Sequence, residues 1–190
     1  MKSRAMAVSI TAAVVLFVAA HASALEQTYS PSPSNLYNFP HDKNYIWGID
    51  VSAFAALNIY EVELKLIQIT NWDNNENHLY MHLIDDAAVG ITIGNDSGTD
   101  FVNAFTGLGP FIADYQDMNG KDIKETVTYK FSDLGLVDDV NLFKINNIIA
   151  IAFDPDCHFW NCGVELTIKG EPSNAVEPIS WGQLKASFQE

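Results

Sequence analysis

The chain has 190 residues, 48% of them hydrophobic, with 24 acidic and 10 basic side chains and a formal net charge of −14. That balance excludes nucleic acid and anionic membrane surfaces as partners held by bulk electrostatics, because like charge repels them. The length fits one domain with a sizeable core.

Residues 1–24 read as a secretory signal peptide. Lys2 and Arg4 give a basic start, Ala12 to Ala20 an apolar centre, and Ala22-Ser23-Ala24 a small-residue cleavage site. The apolar centre is shorter than the roughly 20 residues that span a bilayer, and no later stretch reaches that length. The mature chain is therefore expected to lack an integral membrane span and to be secreted, extracellular or periplasmic. Cleavage after Ala24 leaves 8 basic against 24 acidic residues, or about −16, which makes divalent cations more natural partners than anions. The same acidity also serves plain solubility.

Residues 25–43 hold three prolines and several serines and asparagines without periodicity, and read as a flexible N-terminal segment. The domain proper is expected over 44–170. Asn44 to Val51 is a first strand. In Ile59 to Ile69, Tyr60, Val62, Leu64 and Leu66 alternate with Glu61, Glu63 and Lys65, the period-two pattern of a strand with one wet face. Strands follow at His78 to Ile84 and Val89 to Ile93. Gly94 to Gly120 reads as long loops with one or two short strands. Thr126 to Phe131 is β-branched and aromatic, Ser132 to Val140 reads as a turn or one helical turn, and Asn147 to Phe153 and Val164 to Lys169 close the domain. Short strands, frequent turn residues and almost no helical periodicity predict an all-β fold: an antiparallel β-sandwich or jelly roll of about seven to nine strands. Residues 171–190 form a C-terminal tail, in which Ser180 and Gln183 suit a capping box over a short helical turn.

The densest chemistry lies between the last two strands, in Asp154-Pro155-Asp156-Cys157-His158-Phe159-Trp160-Asn161-Cys162-Gly163. Two strands joined by a rigid acidic loop are expected there. Asp154, Asp156 and Asn161 are candidate oxygen ligands for calcium (Ca2+), which takes six to eight such donors. The alternative is that the two carboxylates bind their own loop's amides. Cys157 and Cys162 are expected to form a disulfide, since both lie in the exported part, five positions apart. Cys157 with His158 is a second, softer metal option.

His78 and His82 lie about 13 Å apart if both are on one strand, too far to chelate a single ion. With Tyr80 between them they read as polar positions on a sheet surface, the alternative being a shallow ligand-binding face. Asp73, Asn74, Asn75 and Asn77 make one oxygen-rich turn, and Asp114, Asp117, Asn119 and Asp122 another. Neither matches an EF-hand loop, and solvated turns account for both. Trp160 and Trp72 fall in loop-like contexts, where an exposed indole stacks on a sugar ring; burial under a loop is the plainer alternative. Catalytic motifs are poor: no GxSxG elbow is present, and carboxylate pairs for glycoside hydrolysis have no separation that a sequence reveals.

The string FDPDCHFWNCGVELTI (Phe153 to Ile168) resembles an end-of-domain motif of uncharacterised bacterial secreted β-sandwich proteins, many of which carry a PEP-CTERM sorting tail. NWDNNENHLYMHLIDD (Asn71 to Asp86) and YKFSDLGLVDD (Tyr129 to Asp139) resemble the same group. The resemblance implies an exported β-sandwich and assigns no catalytic residue. Two departures stand out: Cys162 replaces an acidic or small residue, and the PEP-CTERM anchor is absent. The WGQLKASF ending instead resembles short tails of other exported bacterial proteins.

The reading is of a secreted, non-catalytic binding module, calcium-stabilised, that recognises glycan or extracellular matrix through Trp160, His158, Trp72 and Tyr80. A self-associating surface or matrix protein is the alternative, and a glycan-active hydrolase the third.

Overall fold

The computed structural model describes residues 23–85, 87–96 and 102–173. The body of the expected signal peptide and the tail from residue 174 lie outside them. Among the described residues ten strands form two antiparallel sheets packed face to face, so the fold is an all-β sandwich. The first sheet runs β1 (Leu25–Tyr29), β10 (Gly163–Pro172), β3 (Leu57–Asn71) and β7 (Glu125–Lys130), with β9 (Phe159–Trp160) pairing the far end of β3. The second runs β5 (Gly90–Asn95), β2 (Lys43–Asp50), β8 (Ile148–Pro155), β4 (His78–Ile84) and β6 (Phe111–Gln116).

Alternation decides which side chains meet between the sheets. Val62, Leu64 and Leu66 of β3 with Val164, Leu166 and Ile168 of β10 face Tyr45, Trp47 and Ile49 of β2, Leu79, Met81 and Leu83 of β4, and Ile149, Ile151 and Phe153 of β8. On the outer side of the first sheet, Glu61 and Glu63 pair with Lys169 and Lys130. The unbroken apolar run of β8 has a separate cause. Its outward residues Ala150 and Ala152 are covered by Phe105, which also packs on Ile84, so this central strand is buried on both faces.

Two helices, α1 (Phe131–Leu134) and α2 (Val137–Phe143), cap one end, more helix than the single turn expected. Gly135 at φ 72 closes α1 by donating its N–H to the Phe131 and Ser132 carbonyls. Asp138 and Asp139 occupy the first turn of α2, where they complement the helix dipole. Asn141 of α2 clamps β3 by accepting the Ile59 N–H and donating to the Ile59 carbonyl. Among the described residues no helix is long and apolar enough to cross a membrane.

The flexible lead-in expected over 25–43 is corrected. Leu25–Tyr29 is an edge strand on β10, and Leu36 and Phe39 are fully buried in the core. Phe39 packs on Tyr45 and on Phe153, with ring centroids 5.9 and 5.3 Å away. Backbone bonds from Val164 N–H to the Ser34 carbonyl and from Phe159 N–H to the Phe39 carbonyl fasten the segment. Proline and serine content masked this, because two apolar anchors in a polar stretch carry no period.

Phe39→Ala should therefore destabilise the fold by about 3–5 kcal/mol, the cost of truncating a buried phenylalanine. Equilibrium urea unfolding reads this directly, and a change within 0.5 kcal/mol would return the segment to a loose tether.

Candidate functional site

The expected hairpin between the last two long strands does not form. β8 ends in the second sheet at Pro155, and the chain then crosses to the first sheet, where residues 158–168 run along β3. Gly163 pairs with Ile67, Trp160 with Thr70 and Phe159 with Asn71, so β9 continues the β10 ladder without slipping by a residue. The Trp72 N–H to the His158 carbonyl and the Cys162 N–H to the Ile67 carbonyl tie both ends of this stretch to β3.

That path corrects the disulfide. Cys157 and Cys162 are free thiols, set at opposite ends of an extended six-residue run whose span is on the order of 15 Å. A disulfide needs Cα atoms within about 7 Å. Cys162 is exposed and donates its S–H to Gln68 Oε1 at 3.1 Å. Cys157 lies against the Trp72 indole, and burial pushes its thiol above the usual range.

The proposed calcium ligands are engaged by three different segments. Asp154, only 1% exposed, accepts the Ala104 N–H at 2.6 Å. Asp156 accepts the His78 N–H at 2.5 Å. Asn161 points the other way and donates to the Asn35 carbonyl at 2.9 Å. Among the described residues no three His, Cys, Asp or Glu side chains converge as a metal site.

Tyr80 stands apart from the other expected ligand-binding residues. It lies on the outer face of the second sheet, between Asp114 of β6 and Asp154 of β8 in the cross-strand register, and its ring stacks on His78. Here some polar groups are committed to one another, while Asp114 Oδ1, Asp154 Oδ1 and Asp156 Oδ2 are buried without a hydrogen-bond partner among the described residues. His78 Nδ1 meets Asp114 Oδ2 at 2.7 Å, and His82 bridges the Gly109 carbonyl and the Asn103 amide. Burial, reinforced by a hydrogen bond with Asp96, pushes the Asp154 carboxyl up to about 7.

Trp72, Trp160 and His158 do converge. Trp72 and Trp160 are 54% and 49% exposed, and both line a cleft of about 260 Å³ with Thr70, Asn71, Asp122 and Lys124. His158 stacks on Trp160 at 5.2 Å with the rings 11° from parallel. Burial, and then the neighbouring His41, hold this imidazole below its usual range, which favours the neutral ring. The platform has a backbone cause. Even-numbered Val62, Leu64 and Leu66 face the core, but a bulge at Gln68, with φ 49, shifts the phase. Beyond it Ile69 and Asn71 turn inward and Trp72 turns out. On the partner strand Phe159 is buried and Trp160 exposed.

The two oxygen-rich turns meet beside this cleft. Asn74 Oδ1 accepts the Lys121 N–H, and Asp117 accepts the N–H groups of Asn71, Asn119 and Gly120. Asp73 is likewise occupied by Asn75 and Asn77. Asp73, Asn77 and Asp117 are thus bonded within the turns, Asn77 and Asp117 being buried where solvated turn residues were expected, while Asp122 has no side-chain partner among the described residues. A larger groove of about 520 Å³ lies between the free edges of β6 and β7, but Tyr115 and Gln116 donate to its carboxylates Glu125 and Asp114. Lys124 is the cleft residue that sequence reasoning missed. It precedes a strand with no motif around it, and only the fold carries it beside the indoles.

No protein-family model matches the sequence, and no curated protein or solved structure matches it either.

Two outcomes follow from this geometry. Thiol titration of the denatured, unreduced monomer should find two free cysteines; a count of zero would reinstate the intrachain bond. The second concerns Asp154. Its folded pKa lies above the unfolded value of about 3.9, so the unfolded chain binds fewer protons between pH 4 and 7, and stability falls as pH rises through that window. Asp154→Asn, which keeps an acceptor for Ala104, should flatten that part of a melting-temperature profile. A profile with the wild-type slope would remove Asp154 as its source.

Proposed function

We propose that this protein is a non-catalytic binding module of the extracellular or periplasmic space that recognises glycan on the Trp72–Trp160 face. One observation carries the reading: two half-exposed indoles, adjacent across β3 and β9, line one cleft with polar side chains at its rim. A sugar ring has an apolar C–H face and a polar perimeter. The indoles offer apolar area to the first, while Asn71, Asp122 and Lys124 offer donors and acceptors to the second. Half-exposed tryptophan is costly to leave in water without a partner, and one pair of indoles on a single platform departs from the scattered exposure that needs no explanation.

The rest of the site favours binding over catalysis. Hydrolysis of a glycosidic bond by the common route requires two carboxyl groups about 5–9.5 Å apart across the substrate. Asp122 is the one carboxylate that lines this cleft among the described residues.

A glycan array followed by titration calorimetry tests the reading. Trp72→Ala and Trp160→Ala should each weaken binding about tenfold, or roughly 1.4 kcal/mol, with the melting temperature little changed because both rings are half in solvent. A wild-type protein that binds no glycan, or variants that bind as tightly as wild type, would end the proposal.

A further inference from the structure

We infer that the Trp72–Trp160 cleft selects a single neutral, hydroxyl-rich sugar ring, and that Asp122 and Lys124 are its specificity-determining residues. This deepens the glycan reading above and rests on it.

Size bounds the ligand first. Drug-sized ligands occupy pockets of about 300–1,000 Å³. At about 260 Å³ the cleft suits one ring held against the indoles, with neighbouring rings of a longer glycan left in solvent.

The polar groups then set its chemistry. Around the cleft most acidic side chains are already spent within the protein: Asp73 on Asn75 and Asn77, Asp117 on three backbone N–H groups, Glu125 on Tyr115 and Asn119. Asp122 and Lys124 differ. Among the described residues neither side chain takes part in a hydrogen bond or an ion pair, with each other or with a third group, yet both line the cleft beside the indoles. One uncommitted acceptor and one uncommitted donor of opposite charge therefore flank the same aromatic surface.

A sugar hydroxyl is both donor and acceptor. One hydroxyl donating to the Asp122 carboxylate and its neighbour accepting from the Lys124 ammonium would satisfy both heads with charge-assisted bonds. Charged sugars fit worse. A uronate would gain Lys124 but meet Asp122 and the field of a chain with net charge −14. A protonated amino sugar would be drawn by that field and gain Asp122, but would meet Lys124 at the cleft. The neutral ring alone faces no like charge at either end.

Calorimetric titration with three probes tests this: neutral gluco- and manno-oligosaccharides, oligogalacturonate and chitosan oligomers. The wild type should bind a neutral probe at least tenfold more tightly than either charged one. Asp122→Ala and Lys124→Met should each weaken neutral binding about tenfold at unchanged melting temperature, and Asp122→Asn should narrow the gap to oligogalacturonate. Tighter binding of a charged probe would overturn the inference. So would neutral binding that survives both substitutions while Trp72→Ala abolishes it, an outcome that leaves the stacking reading in place. Failure of the wild type to bind any glycan would overturn both.

Discussion

The structure depends on the long ladder along β3. At 15 residues β3 spans on the order of 50 Å, and one face of its edge is paired by β10 and then by β9 as if they were a single strand. That arrangement brings the chain across from β8 in the second sheet and lays the segment after Pro155 against residues 67–72. It also pulls in the N-terminus, since β1 adds to the outer edge of β10 and the 34–39 turn bonds to Phe159, Asn161 and Val164. Fold and candidate site are therefore one construction. Loosening the β3–β9 end would unfasten Phe39 from the core and separate Trp160 from Trp72.

Within that ladder a single backbone feature decides which residues face solvent. Side chains on a strand alternate strictly, so a one-residue change of phase exchanges inside and outside for everything beyond it. Gln68, in the left-handed region at φ 49, supplies that change. Without it Trp72 would follow Leu64 and Leu66 into the core, and Asn71, whose amide is bonded to Asn75 and Asn77, would face out. The outer face of the first sheet accordingly changes character along its length. Below the bulge it is an ion-paired surface of Glu61, Glu63, Lys130 and Lys169; above it, an aromatic one of His158, Trp160 and Trp72.

Period-two alternation made most strands legible. The predicted His78 to Ile84 coincides with β4, and the other six long strands are displaced by a few residues at their ends. What escaped was set by tertiary pairing. β1 carries no apolar alternation because it is an edge strand with three exposed residues in five, and β9 is two residues long. The loop after Phe153 shows the limit most clearly. Its composition pointed to an oxygen-rich, sulfur-closed hairpin, and local sequence holds no record that the strands on its two sides belong to different sheets. The indoles stand out in loop-like contexts, but burial is the plainer reading there; their exposure and adjacency follow from the Thr70–Trp160 register, and Lys124 enters only through the pairing of β7 with β3.

The distribution of charge gives this adjacency its significance. A chain with 24 acidic residues must keep most of them either in water or bonded, because an unpaired buried carboxylate costs several kcal/mol. This protein bonds many of them locally. Asp73, Asp117, Asp154 and Asp156 each accept backbone N–H groups, which shapes turns and ties down the 102–110 loop and the crossing after β8. Such carboxylates build the frame, though Asp154 Oδ1 and Asp156 Oδ2 are buried without a hydrogen-bond partner among the described residues. An outward aromatic row flanked by Asp122 and Lys124, which have no side-chain partner among the described residues, is a different economy of groups. Here polar heads stay solvated while apolar area stays exposed to water, and that pairing is the arrangement on which the proposed glycan reading rests.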